Sequence, residues 1–331
     1  MAAAISPDRI LKELADLWVT MGKQGQVEAG SGVLRACTMT LIVLSDESED
    51  AATWGETIAA LMPEHPARTI HVKLCQDRER ALTERVYAQC WMPFGQRRQI
   101  CCEQVEISVN QDALGDLPSV VLPLAVADLP VVLWRRTPRL LGLPESRAIA
   151  ALAHKVIVDS GAMPDATDAL KRLDAARARG VVLGDLAWTR MTRWRDMLAQ
   201  VFENRERLAQ IASVRRAAIT YGATYETSAR LMGAWIGDSL AQAGGKPEIA
   251  ITRSDTVPTI AIELEGDGLK VQLARHEETL LVTVNEASHH TSLPYPTDYL
   301  LMREELGVVG RDPVLERTLS SAARLAYPTD K

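Results

Sequence analysis

Apolar positions in the first half of the chain alternate between helical and strand-like spacing. Ser6-Pro7 opens a helix, with a hydroxyl cap and a proline in the first turn, and Leu11, Leu14, Leu17 and Trp18 give it an apolar face. Residues 22–34, rich in Gly, Gln and Ser, predict a loop. The run 36–44 (ACTMTLIVL) reads as a strand ending at the acidic break SDESED, residues 51–62 as a helix, and 68–74 as a second strand. That strand–helix–strand unit fits a parallel pair with a crossover helix. Alternation in 84–91 and 100–109 predicts an antiparallel hairpin with its turn near 95–96. A short helix at 117–125, buried strands at 130–134 and 155–158, and between those strands the loop TPRLLGLP and another short helix complete a mostly parallel, Rossmann-like α/β layer.

After Asp165 the pattern changes. Helices are expected near 165–179 and 187–203, a strand near 211–220, and a helix at 224–243. Short strands at 248–252, 259–264, 269–274 and 279–284, joined by turns, predict an antiparallel meander. Helices near 296–306 and 312–325 follow. The expected organisation is an α/β domain over 1–163 and an α+β domain over 164–331.

One stretch within the second half stands out. Residues 185–203, DLAWTRMTRWRDMLAQVFE, carry two of the seven tryptophans on one predicted helix. Asp185 can cap its start. Trp188, Met191, Trp194, Leu198 and Val201 recur as one apolar stripe, while Arg190 and Arg193 fall elsewhere and Arg195 is interleaved. Aromatic residues and arginine together are favoured at binding surfaces. The same spacing also describes a core helix with solvated arginines.

Composition narrows the function classes. The 331 residues favour two domains, and 47% hydrophobic with 24% charged content is ordinary for a globular chain. A net charge of −6 argues against a general nucleic-acid partner, although Arg97-Arg98, Arg135-Arg136 with Arg139, and Arg215-Arg216 form local basic clusters. No secretory signal and no run of about 18 apolar residues is evident, so the expectation is a cytoplasmic protein with no membrane partner and normally reduced cysteines.

Catalytic signatures are missing. The first strand-to-helix turn, LSDESEDAATWG, offers Asp46, Glu47, Glu49 and Asp50 where a dinucleotide pyrophosphate needs bare backbone N–H groups. The glycines of residues 22–32 precede the strand, and Gly244-Gly245-Lys246 ends a helix, so neither has a phosphate-loop context. Histidine and cysteine spacing suggests no metal site, and no Gly-x-Ser-x-Gly elbow occurs. No catalytic, cofactor-binding or metal-binding residue is assigned, and no cofactor is expected. If the hairpin turn sits near 95–96, Cys90 lies opposite or nearly opposite Cys101, near disulfide distance. The pair is either a reversible thiol switch or two small residues on facing strands.

Several stretches are similar to one family. HPARTIHV at 65–72, QICCEQVEISV at 99–109, LPSVVLPLAVADLPVVLWRR at 117–136, HKVIVDSG at 154–161 and LGDLAWTRMTRWRDMLAQVFE at 183–203 resemble the glucose-6-phosphate dehydrogenase assembly protein family, OpcA, as does ARLMGAWIGDSL at 229–240. The Asp-Leu-x-Trp-Thr-Arg-x-x-x-Trp-Arg segment is the most specific piece. Many members carry Trp-Trp-Arg-Gly after the DLPV strand, whereas this chain has Trp134-Arg135-Arg136-Thr137.

The resemblance implies a non-catalytic factor that binds glucose-6-phosphate dehydrogenase, promotes its assembly, and activates it allosterically in the oxidative pentose phosphate pathway. In photosynthetic members it also brings redox control through cysteines. Expected partner contacts are Trp188, Arg190, Arg193, Trp194 and Arg195, with Trp134 and Arg135 second; the tryptophans can instead hold the helix while the arginines meet the partner. The alternative is a sugar-phosphate or nucleotide-binding enzyme, or a metabolite sensor, whose arginines hold a phosphate.

Overall fold

A computed structural model describes residues 6–27, 33–49, 51–76, 82–92, 99–137, 144–308 and 310–325. The chain forms two compact units. One comprises residues 1–158 with 298–307, the other 159–297 with 308–331. The expected hairpin turn, the Arg97-Arg98 cluster, Arg139, Asp50 and most of the TPRLLGLP loop lie outside the described residues.

The first unit begins with α1 (Pro7–Val27), which runs through the segment expected to open a loop. Lys23, Gln24 and Gln26 are good helix formers and carry the helix past Gly22 and Gly25. Seven strands follow: β1 (Val33–Arg35), β2 (Met39–Asp46), β3 (Ala67–Cys75), β4 (Leu82–Trp91), β5 (Gln99–Asn110), β6 (Val131–Arg135) and β7 (Lys155–Val158). The helices between them are α2 (Ala51–Leu61), α3 (Leu117–Leu124) and α4 (Pro144–Ala150). The order β1-β5-β3-β2-β6-β7 is parallel throughout, and β4 adds antiparallel to β5. β2 is buried along its whole length, as a strand covered on both faces should be.

The second unit contains α5 (Ala166–Ala178), β8 (Leu183–Asp185), α6 (Leu186–Thr189), α7 (Thr192–Val201), α8 (Arg205–Gln210), β9 (Arg216–Tyr221), α9 (Glu226–Gln242) and β10 (Glu248–Arg253). Strands β11 (Ile260–Gly266), β12 (Leu269–His276), β13 (Thr279–Val284) and β14 (Ala287–Ser292) follow. The helix α10 (Asp298–Gly307) belongs to the first unit, and α11 (Pro313–Arg324) returns to the second.

The sheet order is β10-β9-β11-β12-β13-β14. β11 to β14 form the antiparallel meander. β10 does not join it, because α9 carries the chain over to pair β10 parallel with β9. β14 was not expected from the sequence. Its residues are polar and mostly exposed on an edge, so no apolar alternation marks it. The expected strand near 211–220 begins only at Arg216, because residues 211–213 turn as a short 3-10 helix. Met191, Trp194 and Leu198 join Met232 and Ile236 of α9 against Ile219 and Leu273 of the sheet, making one core face.

Candidate functional site

The segment 185–203 is built in the second unit. Asp185 is fully buried and caps α6, accepting from the Ala187 amide at 3.1 Å. It also accepts from the Ser160 amide at 2.9 Å and the Ser160 hydroxyl at 2.5 Å. Burial raises its pKa to about 6, against the lowering effect of these donors.

The predicted single helix at 187–203 is two. α6 ends at Thr189 and α7 starts at Thr192. Arg195 occupies the break: it donates to the Trp188 carbonyl at 2.7 Å and to Thr192 Oγ1 at 3.0 Å, and lies 3.5 Å from the Trp188 ring centroid. Trp188 Nε1 in turn donates to Asp312 Oδ2 at 3.2 Å, and Asp312 caps α11.

These contacts sort the expected partner residues. Trp134 and Trp194 are 1% exposed and Trp188 3%, so the three rings fill cores and present no surface. Arg195 is spent on the helix break. Arg190 holds Asp159 with a two-pronged bond, Nη1 to Oδ1 at 2.7 Å and Nη2 to Oδ2 at 2.5 Å. Arg193 alone of the three is exposed, and it makes no hydrogen bond or ion pair among the described residues. A cleft of about 240 Å3 beside Arg190 is lined by Asp159, Gly161, Thr224, Tyr225 and Ser228. Sequence reasoning missed Asp159 and Asp312. Asp312-Pro313 carries the signature of a helix start, and could have flagged the second of them.

In the first unit, Arg135 is partly buried, its pKa pushed down to about 10 by burial, and its Nε has no hydrogen-bond partner among the described residues. Its neighbour Arg136, named from the sequence as part of a basic cluster but not as a partner contact, stacks 4.7 Å from the Trp134 ring centroid. Arg136 bonds Glu49 and Asp298, each at 2.7 Å. At the turn after β2, the Asp46 amide donates to Glu49 Oε1 at 3.1 Å. The Gln76 amide donates to Glu47 Oε2 at 3.0 Å. Side-chain carboxylates thus take amides at the strand end where such sheets commonly bind phosphate. His71, against Ser45 Oγ at 2.6 Å and 3.8 Å from the Trp54 ring, is pushed down to about pKa 3 by burial and stays neutral. Among the described residues no group of His, Cys, Asp and Glu is placed to hold a metal ion, and no helix is long and apolar enough to cross a membrane.

Cys90 and Cys101 face each other across β4 and β5 and are joined as a disulfide, with Cα atoms 4.0 Å apart. Cys90 is exposed and Cys101 buried. The neighbouring Cys102 thiol is buried and pushed up to about 11.

Comparison with known proteins places these features. The family described as glucose-6-phosphate dehydrogenase subunit N-terminal domain matches residues 58–175, and its C-terminal counterpart matches residues 181–319. The chain belongs to the OpcA glucose-6-phosphate dehydrogenase assembly family. The Trp/Arg segment, Asp185 and Arg193 therefore lie in the OpcA C-terminal domain. A relative from Nostoc punctiforme, named an OxPP cycle protein OpcA, is 30% identical over 145 residues, covering 43% of this chain and 30% of that protein. One of the same name from Synechocystis is 23% identical over 189 residues, covering 56% of this chain and 39% of that protein. The matched part is thus well under half the length of these relatives.

Solved structures with a similar trace include a dehydrogenase from Chromobacterium violaceum, at TM-score 0.47 and 10% identity over 88% of this chain and 92% of that one. A 3-ketoreductase from Actinomadura kijaniata gives TM-score 0.46 and 13% identity over 88% and 95%. Likeness at this level carries no inference about chemistry.

Proposed function

We propose that this chain is a non-catalytic subunit that binds glucose-6-phosphate dehydrogenase, promotes its assembly and activates it allosterically in the oxidative pentose phosphate pathway. The observation that carries the reading is the match of both OpcA subunit domains over residues 58–175 and 181–319. The geometry is consistent with a binding role. Glu49 and Glu47 take amides at the strand end where a pyrophosphate would compete, and Arg190 is already matched to Asp159. Arg193 then becomes the favoured partner contact within the segment, on α7, which Trp194 and Arg195 hold in place.

Activation requires tighter binding to the active enzyme than to the inactive one. About 1–3 kcal/mol of such difference gives roughly a 5–150-fold shift. The Cys90–Cys101 bond is proposed as a redox-responsive link on the first unit's edge. The test is dehydrogenase turnover and co-elution with and without this chain, alongside the chain alone with glucose 6-phosphate and NADP. Unchanged turnover without co-elution overturns the activator reading; turnover by the chain alone favours an enzyme.

A further inference from the structure

The second unit's sheet has two unlike faces. One is covered by α7 and α9. The other carries no such helical layer among the described residues, and its centre is a trough of about 210 Å3 lined by sheet residues alone. Strand register gives the composition of this open face. One row across the six strands reads Thr252, Thr220, Ala261, Ala274, Leu281, His290. The next reads Ala250, Ala218, Glu263, Gln272, Thr283, Ser288. Solvated sheet faces are normally rich in long charged side chains. Here Glu263 is the only charged group with a fixed sign in the two rows, and Lys270 neutralises it at 2.6 Å. Charges gather instead in a marginal row that alternates in sign: Glu248, Arg216, Glu265, Lys270.

We infer that this open face is a docking surface for a second copy of this chain, packed sheet against sheet about a two-fold axis. An isologous contact places a patch against itself, so it must carry no charge that would oppose its own copy. A centre of Ala and Thr meets that condition, and its short side chains let two sheets approach to about 10 Å. The alternating margin leaves neither sign in excess at the rim, where like charges would repel.

The area is adequate. Six strands at about 4.8 Å spacing, each contributing about 20 Å, give a face of roughly 580 Å2. Two copies then bury on the order of 1,150 Å2, near the low end of stable interfaces and above the roughly 800 Å2 typical of incidental contacts. The surface is distinct from Arg193, which lies on the helical layer, so it does not depend on the dehydrogenase reading.

Sedimentation of the full chain from about 1 to 100 μM tests this. The expected wild-type species at high concentration has twice the 36.3 kDa chain mass. Ala261→Arg and Thr283→Arg set like charges face to face and should each weaken association at least about tenfold, with unchanged circular dichroism. If Ala261→Arg fails to fold, Thr283→Arg decides, since its side chain is already partly exposed. A wild type that stays at 36.3 kDa throughout overturns the inference. So does dimerisation of a folded Thr283→Arg with wild-type affinity. If the wild type gains mass only on adding glucose-6-phosphate dehydrogenase, the second copy is excluded, and loss of that gain in Thr283→Arg assigns the face to the enzyme.

Discussion

Arg195 is the sharpest test of how the Trp/Arg segment works, because its expected contact role and its observed structural role predict different outcomes. In Arg195→Ala the Trp188 carbonyl, at the break between α6 and α7, keeps only backbone amides, those of Arg190 and Met191, as donors. A hydrogen bond to a charged group contributes about 1.5–3 kcal/mol, and a partly exposed guanidinium over an indole about 0.5–1 kcal/mol. The two share one guanidinium and do not simply add, so the expected loss is about 2–3 kcal/mol. For a unit of this size that lowers Tm by roughly 5–10 °C. Arg193→Ala serves as the control and should fall within about 0.5 kcal/mol of wild type. Arg195→Lys keeps the charge but loses the planar fork, and should lie between. Calorimetry on the full chain measures all three, with both units' transitions followed separately. The reasoning is refuted if Arg195→Ala melts within about 1 °C of wild type, or if Arg193→Ala costs more than Arg195→Ala.

Other consequences are equally direct. Arg193→Glu should weaken dehydrogenase activation and co-elution while leaving the melting curve in place; normal activation removes α7 from the proposed contact. The folded-state pKa of Asp185 is raised to about 6 from 3.8, so folding favours its protonated form; the cost of its charge is absent below about pH 4 and fully present above about pH 6. Asn at this position keeps an oxygen for the Ser160 and Ala187 amides, so Asp185→Asn should gain on the order of 3 kcal/mol over wild type at pH 7 and nothing at pH 4; urea titrations in which the difference does not grow with pH contradict this. Thiol counting on the denatured, untreated protein should give three of the five cysteines and five after a dithiol reductant. Opening a bridge with a sequence separation of 11 should cost roughly 2–3 kcal/mol, visible as a lower urea midpoint in wild type but not in Cys90→Ser.

The strand pattern of the first unit was legible because burial leaves a direct trace: β2 and β6 read as apolar runs and the β4–β5 hairpin as alternation, which put Cys90 opposite or nearly opposite Cys101, and the register makes them directly opposite. Three features left no such trace. The interruption at Arg190 and Met191 is hidden because Trp188, Met191, Trp194 and Leu198 keep a helical rhythm across it, so the stripe survives while the backbone turns. The Arg190–Asp159 bond joins residues 31 apart in sequence on separate elements, a distance no spacing rule spans. The parallel placement of β10 depends on where α9 delivers the chain, and a strand's composition does not state its direction. The site was legible as a segment and not as a set of roles: the same tryptophans and arginines suit a core or a surface until their partners are known.

The position of α10 has a consequence for biosynthesis. This helix completes the first unit only after nearly all of the second has been translated. Its Glu305 meets Lys155 at 2.6 Å, with both side chains buried. Until residue 305 leaves the ribosome, that ion pair is absent and the patch that buries Leu301, Met302 and Leu306 of α10 stays uncovered. The N-terminal unit is therefore incomplete until most of the chain has been made, and no single cut in the gene separates the two units intact. A fragment ending before residue 298 should aggregate or remain loosely packed, whereas supplying residues 298–307 through a grafted linker should restore it.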